Sequence, residues 1–547
     1  MEDWARPAAI TRLTTAAITL ASQRRWVIVS AMTSATLPLQ NAIPKWLGFS
    51  ALCAGMFMAV LDIQIVVTSL SVIETALNIG ADRMSWVQTS YLIAEIIAIP
   101  LTGMLMRVFT LRWLVTGAIV IFTLALIGCA ASTGFNMLIA FRVLQGLAGG
   151  ILIPAVFSAV FLLFKPGTEQ TIATTMAGIL AVLAPALGPI TGGLVTEYLS
   201  WHWLFLINVI PGVITVTLAC TCLPRERPQI SLLASLDWVS LGLIAASLTA
   251  LEIGLKEAPN RGWLSPTVAL LFLGFVAAMV MAVRRKAPVV DFSLFRNRNL
   301  AFGCGISFIL GLGLYGSVYL LPVFLAYVRH LGPIGIGLTL LVTGCAQLVA
   351  APISVWLNRQ INSRLLSILG FSCFALGLGM TGFETPASGY DDLFWAQIVR
   401  GGAIALCILP VTSIALGLLP LERVSDASGL YNLSRNLGGA IGIALIDTVL
   451  FSRSAEHAGW LTDLMKTDQA AAANLLGLSP GEMPDPDDPM GVLGVMDAIQ
   501  ETSLTFAVNE AWLMLAGLTS IAVLLIWVMG PIREGKSQAQ QARPPGS

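Results

Sequence analysis

The sequence predicts an all-α polytopic membrane protein with fourteen transmembrane helices, built as two six-helix halves with two helices inserted between them. Three observations predict it. Of 547 residues, 56% are apolar and 11% charged, where soluble globular chains carry roughly 25% charged residues. Apolar runs long enough for spans of about 20 residues recur from end to end, and the mean hydropathy is +0.83. The chain is also self-similar at an offset of 252 residues. A soluble enzyme on a single anchor is excluded, because the longest polar stretch is only Ser452 to Thr505. A net charge of zero gives no electrostatic argument for nucleic acid. The eight cysteines all fall in apolar segments without a CxxC pair and read as small buried hydrophobes. His202, His330 and His457 lie at segment edges or in the long loop, so neither a metal site nor any other cofactor is expected.

In chain order, residues 1–43 form an N-terminal cytoplasmic segment whose mixture of basic and apolar residues is too broken to span. The N-terminal half, 44–222, has spans near 46–70, 86–106, 111–131, 137–163, 171–199 and 203–222. A linker, 223–299, carries inserted spans near 237–255 and 265–283. The C-terminal half, 300–529, has spans near 300–328, 334–356, 365–382, 393–419, 424–451 and 508–529, with an outer loop at 452–507. Residues 530–547 are a cytoplasmic tail. With both ends inside, 21 of the 30 lysines and arginines fall on the cytoplasmic side and six outside, Lys256 among these six. The positive-inside rule expects that asymmetry, and it supports an even span count with both ends inside.

The self-similarity carries the two-half architecture. Ile99–Leu114 aligns with Ala351–Leu366, matching Pro100 to Pro352, Arg107 to Arg359 and Arg112 to Arg364. A second echo relates "LGPITGG" (Leu187–Gly193) to "LGGAIGI" (Leu437–Ile443). The second and tenth spans, and the fifth and thirteenth, are thereby expected to be equivalents. Internal repeats of this kind mark transporter folds, with a substrate site between the halves near the midplane.

Charges inside hydrocarbon are the next signal. Asp62, in "MAVLDIQIVV", lies deep in the first span, where a lone carboxylate costs roughly 2.5–3.5 kcal/mol on insertion scales. Low dielectric disfavours the charged form of a carboxyl group, so an acid placed there can take up a proton at one face and release it at the other. Glu95 is a second such acid on the next span. Arg142 opens "RVLQGLAGG" in the fourth, with Gln145 one turn on, and as a permanent cation it can modulate a nearby carboxylate. The alternative to that reading is a buried Asp62–Arg142 ion pair serving packing alone. Glu252 and Asp447 read as hydrated groups near the outer ends of their spans. Arg435 is deeper and is expected to bond backbone or polar neighbours, with a coupling role as the alternative.

From Pro44 to about Pro531 the chain resembles the Major Facilitator Superfamily, and within it the fourteen-span drug:proton antiporters of the EmrB/QacA type, the EmrB branch above all. The resemblance rests on "LDIQIV" (Leu61–Val66), "RVLQGLAGG" (Arg142–Gly150), "LGPITGG", "WHWLFLINVIPG" (Trp201–Gly212), "VVDFSLFRNRNL" (Val289–Leu300) and "LSRNLGGAIG" (Leu433–Gly442), in that order. Gln64 stands where the family has threonine, and Arg107 where the superfamily's inner-gate loop usually has aspartate. The resemblance implies a secondary active transporter, not an enzyme. It would be a proton-coupled efflux antiporter for amphiphilic toxic compounds, working by alternating access. Asp62, Glu95 and Arg142 would then couple protons, and Arg435 is the arginine of the thirteenth-span motif. Gln64, Gln145, Tyr315, Tyr319, Tyr431 and Asn432 are the expected cavity residues; Gly103, Arg107, Arg112, Arg359 and Arg364 are the expected gating-loop residues. Protons, drug-like substrates and lipid are the partners, with a periplasmic adaptor (EmrA-like) and an outer-membrane channel on the side of the acidic outer loop. A proton-driven exporter of a specific metabolite or siderophore is the alternative.

The antiporter motif itself concentrates helix breakers: Pro185, Gly188, Pro189, Gly192 and Gly193. Ala184, Gly188 and Gly192 recur every four residues and form one small-residue stripe, which lets a neighbouring helix approach closely. Gly530–Ser537, "GPIREGKS", matches the phosphate-binding-loop pattern in letters only, because such a loop needs a preceding strand and a following helix.

Overall fold

The computed structural model describes residues 42–84, 86–165, 168–231, 237–285, 292–416, 419, 421–479, 483–484 and 494–528. The tail with "GPIREGKS" lies outside the described residues, as does all of the N-terminal segment before Ala42. The chain falls into two units, Met1–Leu47 and Gly48–Ser547. Of the first, the described part is the opening of a helix, Ala42–Val67.

Among the described residues there is no strand, and thirteen helices are long and apolar enough to cross a membrane. One of them, Trp86–Ala130, has 45 residues. At 1.5 Å per residue that is about 68 Å, twice the roughly 30 Å of hydrocarbon that a bilayer offers. Thr110, at φ 65° and ψ 163°, divides it into the second and third spans, so the described residues hold fourteen. The fourth to eighth are Phe135–Leu163, Thr168–Tyr198, Val209–Cys222, Trp238–Arg261 and Pro266–Val283. The ninth to fourteenth are Arg298–Tyr327, Pro333–Gln360, Ser363–Met380, Tyr390–Leu416, Leu421–Thr467 and Met496–Val528. The polar residues that interrupt the apolar runs serve as helix caps. Asp237, Ser265, Asn297 and Asn362 each accept a backbone N–H at a helix start, and Pro266 follows Ser265 at the first helical position.

Packing follows the repeat. The fifth span lies on the first through Gly188 and Gly192, whose Cβ positions would overlap the Gln64 side chain and the Ile65 carbonyl. The thirteenth lies on the ninth in the same way, Gly438 and Gly442 meeting the Phe308 and Leu312 carbonyls. Arg112 and Arg364 are also placed alike. Arg112 donates to the carbonyls of Cys220 and Leu223 at the end of the sixth span. Arg364 donates to those of Ile526 and Trp527 at the end of the fourteenth.

Three expectations need correction. The outer loop is largely helical. The thirteenth span runs on to Thr467, a short helix covers Gln469–Leu476, and the fourteenth begins at Met496. Leu461, Met465, Leu476, Met483 and Ile499 bury one another there, a small apolar core inside an acidic segment. Arg453 and His457 tie the two extended helices together through Glu510, at 2.5 Å and 2.9 Å. Lys256 and Asp447 are not hydrated groups at the outer edge, nor is Glu252; all three are buried. Cys345 is exposed on its helix rather than buried.

Candidate functional site

Asp62 and Arg142 come together because the fourth span lies almost against the second. Cβ atoms at Gly146, Gly149 and Gly150 would collide with the Tyr91 carbonyl, the Tyr91 hydroxyl and the Glu95 carbonyl. This close seat carries Arg142 past the second span to the first. Its Nη1 donates to Asp62 Oδ2 at 2.5 Å and to Gln145 Oε1 at 2.9 Å, and its Nε donates to the Val87 carbonyl at 2.9 Å. The guanidinium lies over the Tyr91 ring, 4.6 Å from its centroid, a cation–π contact. Asp62, Arg142 and Gln145 are all 0% exposed. Among the described residues one oxygen of the acid, Oδ1, has no hydrogen-bond partner, and neither has Arg142 Nη2. The arrangement is a sealed ion pair with one carboxylate oxygen and one guanidinium nitrogen unspent.

A second cluster lies between the halves. Glu95, buried on the second span, faces Asn436 and the Arg435 guanidinium of the thirteenth. Tyr315 of the ninth span donates to Asn436 Oδ1 at 3.0 Å, and Arg435 donates to Asn432 Oδ1. Tyr431 is buried beneath Arg435, its hydroxyl accepting from Thr412 Oγ1 at 3.2 Å. Tyr91 stands within electrostatic reach of Asp62, Arg142, Glu95 and Tyr315, and so connects the two clusters.

The expected residues therefore divide. Gln64 is buried against the fifth span, and Gln145 is a ligand of Arg142. Tyr315, Tyr431, Asn432 and Arg435 gather with Glu95. Tyr319 does not join them. Its hydroxyl donates to Asp447 Oδ1 at 2.8 Å, and Asp447 Oδ2 pairs with Lys256 Nζ at 3.0 Å. Gly193 packs on the Pro333 carbonyl and Gly337 on the Pro189 carbonyl, so the antiporter-motif segment joins the first span to the tenth. Its helix is continuous through Pro185 and Pro189. Arg107 is exposed and Gly103 half-buried at the end of the second span; the Arg359 side chain lies outside the described residues. Sequence reasoning missed Tyr91, Asn436 and Arg400. Of these, Arg400 was findable as a charge inside an apolar span, like Arg142.

Fourteen helices in two like-built halves, with a buried acid–arginine pair and a polar cluster between the halves, are an architecture that comparison can test. The sequence profile of the Major Facilitator Superfamily matches residues 52–443. The chain belongs to the Major Facilitator Superfamily. It is similar to the "Colistin resistance protein EmrB" of Acinetobacter baumannii, 39% identical over 75% of this chain and 81% of that protein. It is also similar to the "Multidrug export protein EmrB" of Escherichia coli K12, 29% identical over 88% and 94% of the two chains, and to the "Fatty acid resistance protein FarB" of Neisseria gonorrhoeae, at 28% over 90% and 97%. A D-xylose–proton symporter shares the superfamily fold at a TM-score of 0.59, with 13% identity over 90% of this chain and 99% of that one. These relatives place the chain among EmrB-like members of the Major Facilitator Superfamily. It is a multi-pass transporter rather than an enzyme.

Proposed function

We propose that the protein is a proton-coupled multidrug antiporter that exports amphiphilic compounds by alternating access. The observation that carries this reading is the Asp62–Arg142 pair, sealed from water with Asp62 Oδ1 unspent. A carboxylate in that setting binds a proton only when the pair loosens, and Arg142 sets how readily it does so. Protonation of Asp62 removes the charge that holds the first span to the fourth, which would let the neighbouring substrate site open. Each proton returning down the membrane potential supplies about 2.3 kcal/mol per 100 mV. The polar cluster of Glu95, Tyr315, Asn432, Arg435 and Asn436 lies between the halves, where cargo would sit. Relatives named for colistin resistance, multidrug export and fatty acid resistance support export of toxic compounds.

In this reading both termini are cytoplasmic and the membrane is the inner one. The helical outer cap, which buries its own apolar core, then faces the periplasm as a surface for an EmrA-like adaptor and an outer-membrane channel. The test is efflux of an amphiphilic fluorescent dye in energised everted vesicles. Dye transport should require the proton gradient and stop on addition of a protonophore. It should also be lost in Asp62→Asn protein that is inserted at normal levels. Full-rate transport by Asp62→Asn protein would overturn the reading. Transport of one metabolite or siderophore, with no activity on a panel of dyes and detergents, would replace multidrug export by a dedicated exporter.

A further inference from the structure

The inserted seventh span carries a buried charged cluster that the Asp62 centre does not use. Lys256 pairs with Asp447 of the thirteenth span at 3.0 Å, both nearly fully buried. Tyr319 of the ninth span donates to the other oxygen of Asp447. Four residues before Lys256, on the same helix, Glu252 is 1% exposed and neither of its side-chain oxygens has a hydrogen-bond partner among the described residues. A Glu four residues before a Lys is the spacing that best favours a helical ion pair, yet here the lysine is turned to Asp447.

The surroundings supply little else. The eighth span, packed beside the seventh, has no titratable residue from Pro266 to Val283. On the seventh span itself Glu257 pairs with Arg261. The thirteenth contributes Asp447 and, further along in one direction, Arg435, which faces Glu95 and Asn432; in the other direction lie Arg453, which pairs with Glu456 and Glu510, and His457, which also meets Glu510. The ninth contributes the Asp447-bound Tyr319. The second-to-third-span helix brings Tyr91 and Glu95, which belong to the two clusters already described, and Arg112, which caps the sixth span. An ionised carboxylate at 252 would stand in low dielectric without a counter-ion among the described residues, a penalty that a bound proton removes. Leu251 and Leu255, which flank Glu252, pack against Ala444 of the thirteenth span, so a shift between these helices is felt directly by the cluster.

We propose that Glu252 is a second proton-binding carboxyl group, with Lys256 as a counter-ion that it shares with Asp447. In the state seen here the proton sits on Glu252, while Lys256 neutralises Asp447. When the seventh span moves against the thirteenth, Lys256 turns to Glu252, whose O–H bond breaks as Asp447 takes the proton. One proton moves between two carboxyl groups and the cluster keeps its net charge of zero. The inserted hairpin thereby becomes part of the ion-handling machinery. This rests on the proton-coupled reading for its purpose, but the site itself can be read without transport.

The experiment is infrared difference spectroscopy of the full chain in phosphatidylethanolamine–phosphatidylglycerol nanodiscs, following the protonated-carboxyl C=O stretch through a pH titration. At neutral pH a component of that band is expected to disappear in Glu252→Gln and persist in Asp62→Asn. Asp447→Asn frees Lys256 for Glu252, so the same component should vanish there with Glu252 intact, which guards against a folding defect in the first variant. Lys256→Met should add a component, from Asp447 deprived of its cation. A band unchanged in both Glu252→Gln and Asp447→Asn overturns the proposal. If Asp62→Asn transports normally while Glu252→Gln loses its component, the functional reading fails and this site stands.

Discussion

Each half of the molecule buries one arginine on the helix that packs against its second span or that span's equivalent, and the two are equipped differently. In the N-terminal half Arg142 bonds Gln145, three residues later, lies over Tyr91 and pairs with Asp62. In the C-terminal half Arg400 bonds Gln397, three residues earlier, at 2.8 Å and Thr343 at 3.0 Å, and lies over Trp512. The seats are the same: Gly146 meets the Tyr91 carbonyl, and Gly401 meets the Thr343 carbonyl. The second lacks a carboxylate bonded to its arginine. Among the described residues Arg400 leaves Nε and Nη1 without hydrogen-bond partners, and the carboxyl group that acts on it, without a hydrogen bond, is Glu384, in the loop beyond the eleventh span. An arginine held by amide and hydroxyl groups can hold helices together. Under the function proposed above, exchange belongs to the half whose arginine pairs with a carboxylate, and the arginine of the other half serves the scaffold.

The largest expected effect breaks that assignment directly. Asp62→Asn should abolish gradient-driven dye export, and adding Thr343→Asp, which offers Arg400 a carboxylate, should not restore it. Recovery in the double variant would mean that any paired arginine suffices. Stability should separate the halves next. Arg142→Met leaves Asp62 buried without its cation and should cost about 3–5 kcal/mol, largely relieved in Arg142→Met/Asp62→Asn. Arg400→Met strands only neutral groups and should cost about 1–3 kcal/mol. Thermal unfolding in nanodiscs reads both, and equal losses would erase the distinction.

Packing gives a smaller contrast. Gly149→Ala would drive a methyl group into the Tyr91 hydroxyl and should cost about 1–3 kcal/mol. Gly402→Ala meets only Ala350 Cβ, at 3.9 Å, and should stay within about 0.5 kcal/mol.

The smallest effect concerns pH. Burial, with Asp392 nearby, pushes Glu384 up to about 8, against the pull of Arg400. Its folded-state value lies above its unfolded one, so the folded protein holds the extra proton. Stability therefore falls as pH rises from about 4.5 towards 8. Glu384→Gln should flatten this slope in melting curves taken across that range, and an unchanged slope would remove Glu384 from the account.

Much of the fold was legible because span length and hydropathy are local properties, and because the repeat left aligned prolines and arginines in the sequence. The Asp62 and Arg142 positions were legible for a related reason, since a charge deep in an apolar run needs a partner. What stayed hidden depends on helix rotation. Nothing in spacing says that Lys256 turns to Asp447, 191 residues on, rather than to Glu252 one turn away. The polar look of residues 452–505 concealed two helix extensions, because an amphipathic cap keeps its acids outward and shows few apolar residues. Tyr91 and Asn436 gave no signal, being ordinary residues that matter by position.

The paired arginines at 112 and 364 have a mechanical consequence. Each fastens the beginning of the third helix of its half to the far terminus of that half's last helix, much as a strap closes a bundle of rods. Neither bundle can fan open at that end without tearing the strap, so large movement is steered into the seam between the bundles. The chain leaving Leu223 towards the inserted pair therefore starts from a fixed post.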